Sequence, residues 1–199
     1  MSVGIVTPPI LKETPPRKRF TRAEVEQMDD SGLFAGQRFE LIEGDLIDKM
    51  GQKPPHAYVI CLFQAMLARL FGPERTRVQI PIEVQTADQE WSLPEPDLSV
   101  LKKAKTEFQK RFPRSDELLL VIEVADSTVK YDLTTKRDLY ARAGVEEYWV
   151  VDIKQRRLFV HCDSRVGEFV TLNILSETEA VSVAGTTIPV AQMLPESHD

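Results

Sequence analysis

The sequence predicts an α/β domain built on a mixed β-sheet. Three short strand-like runs, Leu98 to Leu101, Leu118 to Val124 and Tyr148 to Ile153, follow an apolar helix that starts near His56. A second helical pattern, from about Leu133 to Ala143, separates the last two runs and leaves room for a parallel crossover. The strands before it lie close enough in sequence for antiparallel pairing, so the sheet is expected to mix both directions.

The elements can be justified in order. Residues 1–19 contain Pro8, Pro9, Pro15 and Pro16, which exclude helix and central strand and predict an extended arm or tail. Thr21 with Glu24 three residues later is a capping box, so a short helix should run to about Met28. RFELIEGDLIDK holds two alternating apolar runs around Glu43-Gly44, the pattern of a hairpin. From His56 to Phe71, Val59, Leu62, Phe63, Met66, Leu67 and Leu70 recur at helical spacing, and Gly72-Pro73 ends the run. Val78, Ile80, Ile82 and Val84 alternate like a half-buried strand, with Pro81 marking an edge or a bulge. Gly144 stops the second long helix, and Leu158 to Val160 and Phe169 to Leu172 extend the sheet as a meander.

The 199 residues, 42% of them hydrophobic, suffice for one well-filled core, so residues 20–199 are expected to form a single domain. No stretch reaches the ~20 apolar residues of a membrane span, and Met1 to Leu11 lacks the make-up of a secretion signal, which points to the cytoplasm. Cys61 and Cys162 stand far apart without a CxxC and are expected to stay unpaired, Cys61 on the apolar helix pattern where buried thiols are common. The net charge of −6 argues against an unselective coat on nucleic acid but leaves room for a local basic patch. His56, His161 and His198 show no ligand spacing and no triad context, and no glycine-rich phosphate loop is present.

Three residues break their local patterns. Asp97 opens the strand in PEPDLSVL on the face opposite Leu98 and Val100, and alone it reads most simply as a strand-start residue. Glu123 interrupts LLLVIEV, where an unpaired carboxylate would cost several kcal/mol, so it must be salt-bridged, protonated or metal-bound. Lys136 falls in the middle of the apolar arc of Leu133, Leu139, Tyr140 and Ala143 and should point at something anionic. A snorkelling side chain or a pair with Asp132 would be the structural alternatives. Two strand-borne carboxylates and a helix-borne lysine form a kit for cutting phosphodiesters. The carboxylates suit a hard cation such as Mg²⁺, and the ammonium can orient a water and offset developing charge.

At these residues the sequence resembles the Uma2 family of endonucleases, abundant in cyanobacteria, within the PD-(D/E)XK nuclease superfamily. RFELIEGDLI, PEPDLSV, LLLVIEVADST and YDLTTKRDLYARAGVEEYWVVD carry the resemblance, with the His56 helix less specifically, over roughly Phe20 to Val160. The resemblance implies a restriction-endonuclease-like core: a mixed sheet flanked by helices, with an N-terminal helix and hairpin as an extension. It implies that Asp97 and Glu123 bind Mg²⁺ or Mn²⁺, that Lys136 serves the attacking water, and that the substrate is DNA. Ala125 stands two positions after Glu123, where the superfamily motif has lysine, so Lys136 can serve only if its helix returns the amine to the strand ends. The superfamily often adds an acidic residue from the first core helix, but His56 to Phe71 contains none. Glu40 on the hairpin is the closest stand-in, or else an ordinary strand glutamate. Lys102, Lys103, Lys105, Lys110, Arg111 and Arg114 between the acidic strands could line a DNA groove or simply form a solvated loop. A homodimer is expected, because one centre cuts one strand of a duplex. The alternative reading is a nuclease-shaped binding or assembly module tied to mobile elements or defence.

Overall fold

Capping chemistry starts the first helix. In the structure, a computed structural model that describes residues 17–49 and 53–196, the Thr21 hydroxyl accepts from the Glu24 backbone at 3.2 Å. The Glu24 carboxylate accepts from the Thr21 N–H at 2.8 Å. This box starts α1 (Arg22–Asp30). The prolines of the predicted arm, and His198, lie outside the described residues.

Next comes a hairpin, β1 (Phe39–Ile42) against β2 (Asp45–Asp48), with Ile42 facing Asp45 across a two-residue turn. Glu43 and Gly44 both sit at positive φ, 51° and 86°, the left-handed pair that lets a two-residue turn follow strand twist. The turn is anchored from a distance, since the Arg142 guanidinium donates to Glu43 at 2.6 Å and to Asp88 at 2.9 Å. Then α2 (Pro54–Phe71), with proline in its first turn and Gly72 at φ 89° as its stop, lays Val59, Ile60, Phe63 and Leu67 on the sheet.

The sheet itself has six strands: β3 (Thr76–Val78), β4 (Leu98–Leu101), β5 (Leu118–Ala125), β6 (Glu147–Asp152), β7 (Arg157–Arg165) and β8 (Glu168–Ser176). Their spatial order equals their chain order, and every neighbouring pair is antiparallel except the parallel β5–β6. That one parallel pair is made by the helical crossover, which comprises α3 (Val129–Tyr131), a π-helical turn (Asp132–Lys136) and α4 (Arg137–Arg142). One face of the sheet packs Leu98, Leu120, Ile122 and Trp149 against α2. The other packs Leu101, Val121, Tyr148 and Val150 against Tyr140. A final hairpin, β9 (Ala180–Val183) and β10 (Thr186–Pro189), completes the α2 side with Val181, Val183 and Ile188. The expected α/β class, with a mixed sheet flanked by helices and an N-terminal helix and hairpin, is therefore the architecture observed.

Several local expectations need correcting. The strand expected over Val78 to Val84 ends at Val78, because Gln79 turns to φ 50° and Pro81 has no N–H to give a ladder; Ile82 and Val84 are nonetheless buried. The crossover helix starts at Val129 rather than Leu133. Cys61 is exposed rather than buried, and both cysteines are free. The terminal hairpin was not anticipated, since its strands of four residues are too short to stand out from the turns around them.

Gly44→Ala should cost about 1–2 kcal/mol, because an L side chain is strained at this φ. The added Cβ would also lie 2.7 Å from the Arg19 Cβ. Urea unfolding of the two proteins measures the difference.

Candidate active site

The sheet register brings the acidic residues together. Leu98 pairs with Ile122, so one step back along β4 puts Asp97 opposite Glu123, at the end where β5 leads into the crossover. Asp97 does structural work there, accepting from the Val124 N–H at 2.9 Å just where the ladder runs out. Gln79 donates to its Oδ1 and His56 Nε2 lies against its Oδ2, each at 3.2 Å. The left-handed backbone of Gln79 aims that amide inward.

Lys136 returns its amine to the same place. The widened turn Asp132–Lys136, closed by Arg137 N–H bonding back to Asp132 O, carries the side chain to the sheet. Its Nζ lies 2.9 Å from Glu123 Oε1 and 2.8 Å from Glu40 Oε1. Tyr140, one turn on, donates to the same Glu123 oxygen at 2.9 Å. Glu40 accepts the Glu95 N–H on its other oxygen at 3.1 Å. Neither the snorkelling side chain nor the pair with Asp132 is observed: Lys136 is 3% exposed, and Asp132 accepts instead from Thr128 at 2.6 Å.

Glu40, Asp97, Glu123 and Lys136 thus meet at one half-open cavity of about 210 Å³, together with His56, Tyr131 and Asp132. Burial pulls the Lys136 ammonium toward losing its proton, but the charges of Glu123, Glu40 and Asp132 outweigh it and keep the amine protonated. Burial pushes the Glu123 carboxyl up against the pull of Lys136, and pushes Asp132 up likewise. Asp97 goes the other way. Burial opposes its ionisation, yet the His56 hydrogen bond, the charges of Lys49 and His56 and the Val124 N–H hold it at about 2. His56 is raised in turn, since Asp97 overcomes the effect of burial.

Four buried carboxyl groups, Glu40, Asp97, Glu123 and Asp132, line the cavity with the buried Lys136. Asp97 and Glu123 could hold a divalent cation with hard oxygen donors, Glu123 through the oxygen that no donor among the described residues engages and Asp97 through the oxygen that otherwise accepts from Gln79. Among the described residues no three His, Cys, Asp or Glu side chains converge as a complete ligand set. Two carboxylates with water and substrate oxygens would be the whole complement, as Mg²⁺ often accepts.

The predicted basic loop lies elsewhere. Lys102 to Arg114 follow the far end of β4, and Lys102, Lys103, Arg111 and Arg114 are paired with Glu146, Glu107, Glu117 and Asp116. The cations at the cavity are Arg38, Lys49 and Lys53, which flank the hairpin and the start of α2. His56 and Tyr140 were not singled out as site residues, although each had a signal. His56 shares the buried stripe of Val59, Ile60 and Phe63, and Tyr140 follows Lys136 by four on one helix face.

Residues 22–191 match the Uma2 family, described as "Putative restriction endonuclease". Among solved structures, the chain resembles "a putative nuclease belonging to DUF820 from Anabaena variabilis ATCC 29413". The TM-score is 0.63 at 16% identity over 82% of this chain and 95% of that one, a likeness of fold. No curated protein matches the chain.

Asp97 sets an acid limit on stability. Its folded value of about 2 lies below the ordinary 3.8, so its contribution is complete above about pH 4 and fades as the pH falls toward 2. The stability difference between wild type and Asp97→Asn should therefore shrink by about 2 kcal/mol across that window, as read from urea unfolding at each pH.

Proposed function

The chain belongs to the Uma2 family, a nuclease-like family, and from the chemistry of its cavity we propose that it is a Mg²⁺- or Mn²⁺-dependent endonuclease that hydrolyses DNA phosphodiesters. One observation carries the reading: a fully buried ammonium held between Glu123 and Glu40, beside Asp97, at an open sheet end. Lys136 meets two carboxylates at the edge of an open cavity rather than one inside a closed core.

In this reading Asp97 and Glu123 hold the cation, which would polarise the phosphorus centre and lower the pKa of a bound water. Lys136 is kept protonated by its neighbours, so it donates rather than accepts. It orients the attacking water and offsets negative charge on the phosphate oxygens. Glu40 and Tyr140 position Lys136 and Glu123 respectively. The water gives up one proton to bulk solvent as its oxygen joins phosphorus, the ester bond to the sugar oxygen breaks with its electron pair going to that oxygen, and the departing oxygen takes a proton from solvent across the open side of the cavity. Arg38 and Lys49, paired here with Glu95, and Lys53, paired with Asp126, would exchange those partners for the flanking phosphates.

The second reading, a nuclease-shaped binding module, draws on the incomplete ligand set and on a lysine already engaged twice. Nicking of supercoiled plasmid in Mg²⁺ or Mn²⁺ separates the two. The enzyme reading expects cleavage that EDTA abolishes and that falls at least about 100-fold in Lys136→Met. That variant leaves two buried carboxylates without their cation, at a cost of about 3–5 kcal/mol. Rates are therefore compared at a temperature where circular dichroism shows both proteins folded. Mn²⁺ binding without any cleavage by the wild type favours the module.

A twofold pair is part of the proposal, since duplex cleavage needs two centres. The edge strand β8 exposes Val170, Leu172 and Ile174 in alternation, a row symmetric about Leu172 and so able to meet its own copy. Sedimentation should show a dimer at micromolar concentration that Leu172→Lys dissociates; a wild-type monomer removes this part of the proposal.

A further inference from the structure

The two carboxylates proposed as metal ligands are held in the same way. Glu123 commits Oε1 to two donors, Lys136 and Tyr140, and among the described residues Oε2 has none. Asp97 commits Oδ2 to two donors, the Val124 N–H and His56 Nε2, and leaves Oδ1 with the single amide of Gln79. In each case one oxygen is pinned and the other faces the cavity more freely. The donor that pins Asp97 from the helix side is His56, in the first turn of α2.

The His56 ring is half-buried at the cavity, and its side-chain hydrogen bond goes to Asp97 through Nε2, with the Val124 backbone as its other polar neighbour. Asp97 sits one residue before β4 with its carbonyl accepting from the Gln79 N–H at 3.0 Å, and its carboxylate is oriented by the Val124, Gln79 and His56 contacts.

We propose that His56 is a positioning residue that fixes the Asp97 carboxylate, through Nε2, in the orientation that presents Oδ1 to a divalent cation. The inference rests on the metal-dependent reading above and adds a residue from α2 to that site. Its ligand class is a hard divalent cation, and its action is on affinity and ligand orientation rather than on a proton transfer.

Mn²⁺ binding by the full chain, followed by electron paramagnetic resonance without substrate, tests it. A glutamine amide can reach the place of Nε2, whereas an asparagine amide reaches only the place of Nδ1. His56→Gln should therefore bind Mn²⁺ nearly as wild type does, while His56→Asn should bind about 10- to 100-fold more weakly. Both variants are polar and close in volume, and their melting curves establish that each is folded. Should one fail to fold, the other still decides, because weak binding by a folded Gln variant or full binding by a folded Asn variant overturns the proposal. Should neither fold, His56 is required for folding and the positioning role is likewise overturned. The parent reading fails separately, and takes this one with it, if wild type and Asp97→Asn bind Mn²⁺ equally.

Discussion

A single buried ammonium organises this end of the molecule. Lys136 is removed from water and remains charged only because Glu123 and Glu40 stand at hydrogen-bonding distance on either side. The desolvation of three charged groups is expensive, and only close geometry recovers it. The three groups come from a central strand, a crossover helix and an added hairpin, so the positions of all three elements are tied to one another through this contact.

The backbone devices around it are consistent with that constraint. Along the crossover, whose middle turn is π-helical, Asp132, Lys136 and Tyr140 recur every four residues and are all buried. The hairpin, which has only its own two strands, is fastened by Arg142 at its turn and by the Leu93 N–H donating to Leu41 on its outer edge. Glu40 is thereby held over the end of a sheet to which its strand does not belong.

The electrostatics separate the site from an ordinary salt-bridge network. Surface groups such as Lys103 with Glu107, or Arg142 with Glu43 and Asp88, are open to water, which screens them. The cavity instead concentrates carboxylates where burial works against their ionisation, and it holds Asp97 ionised with donors from three directions. Burial of that kind costs stability, and strongly perturbed groups of this sort cluster at functional sites.

Much of this was legible in the chain. Hydrophobic periodicity and capping located α1, the first hairpin, α2 and strands β4 to β7, because these segments carry enough residues for a period to register. Glu123 and Lys136 stood out because a charge in the middle of an apolar stripe contradicts its local pattern, and that contradiction is a property of sequence alone. The sequence could not say what those charges meet. Glu40 stood between a stand-in for a missing helix carboxylate and an ordinary strand glutamate, and His56 looked like a lone histidine, because Lys136 and Asp97 lie 96 and 41 positions away from them in the chain and only the folded sheet brings them close. The basic loop misled for the same reason. Residues close in sequence to both acidic strands lie at the opposite end of the sheet, since an antiparallel connection joins β4 to β5 at the end away from Asp97 and Glu123. The chain thus determined which residues were out of place, and the tertiary structure decided which of them share a place, because proximity across strands is set by register and packing rather than by spacing.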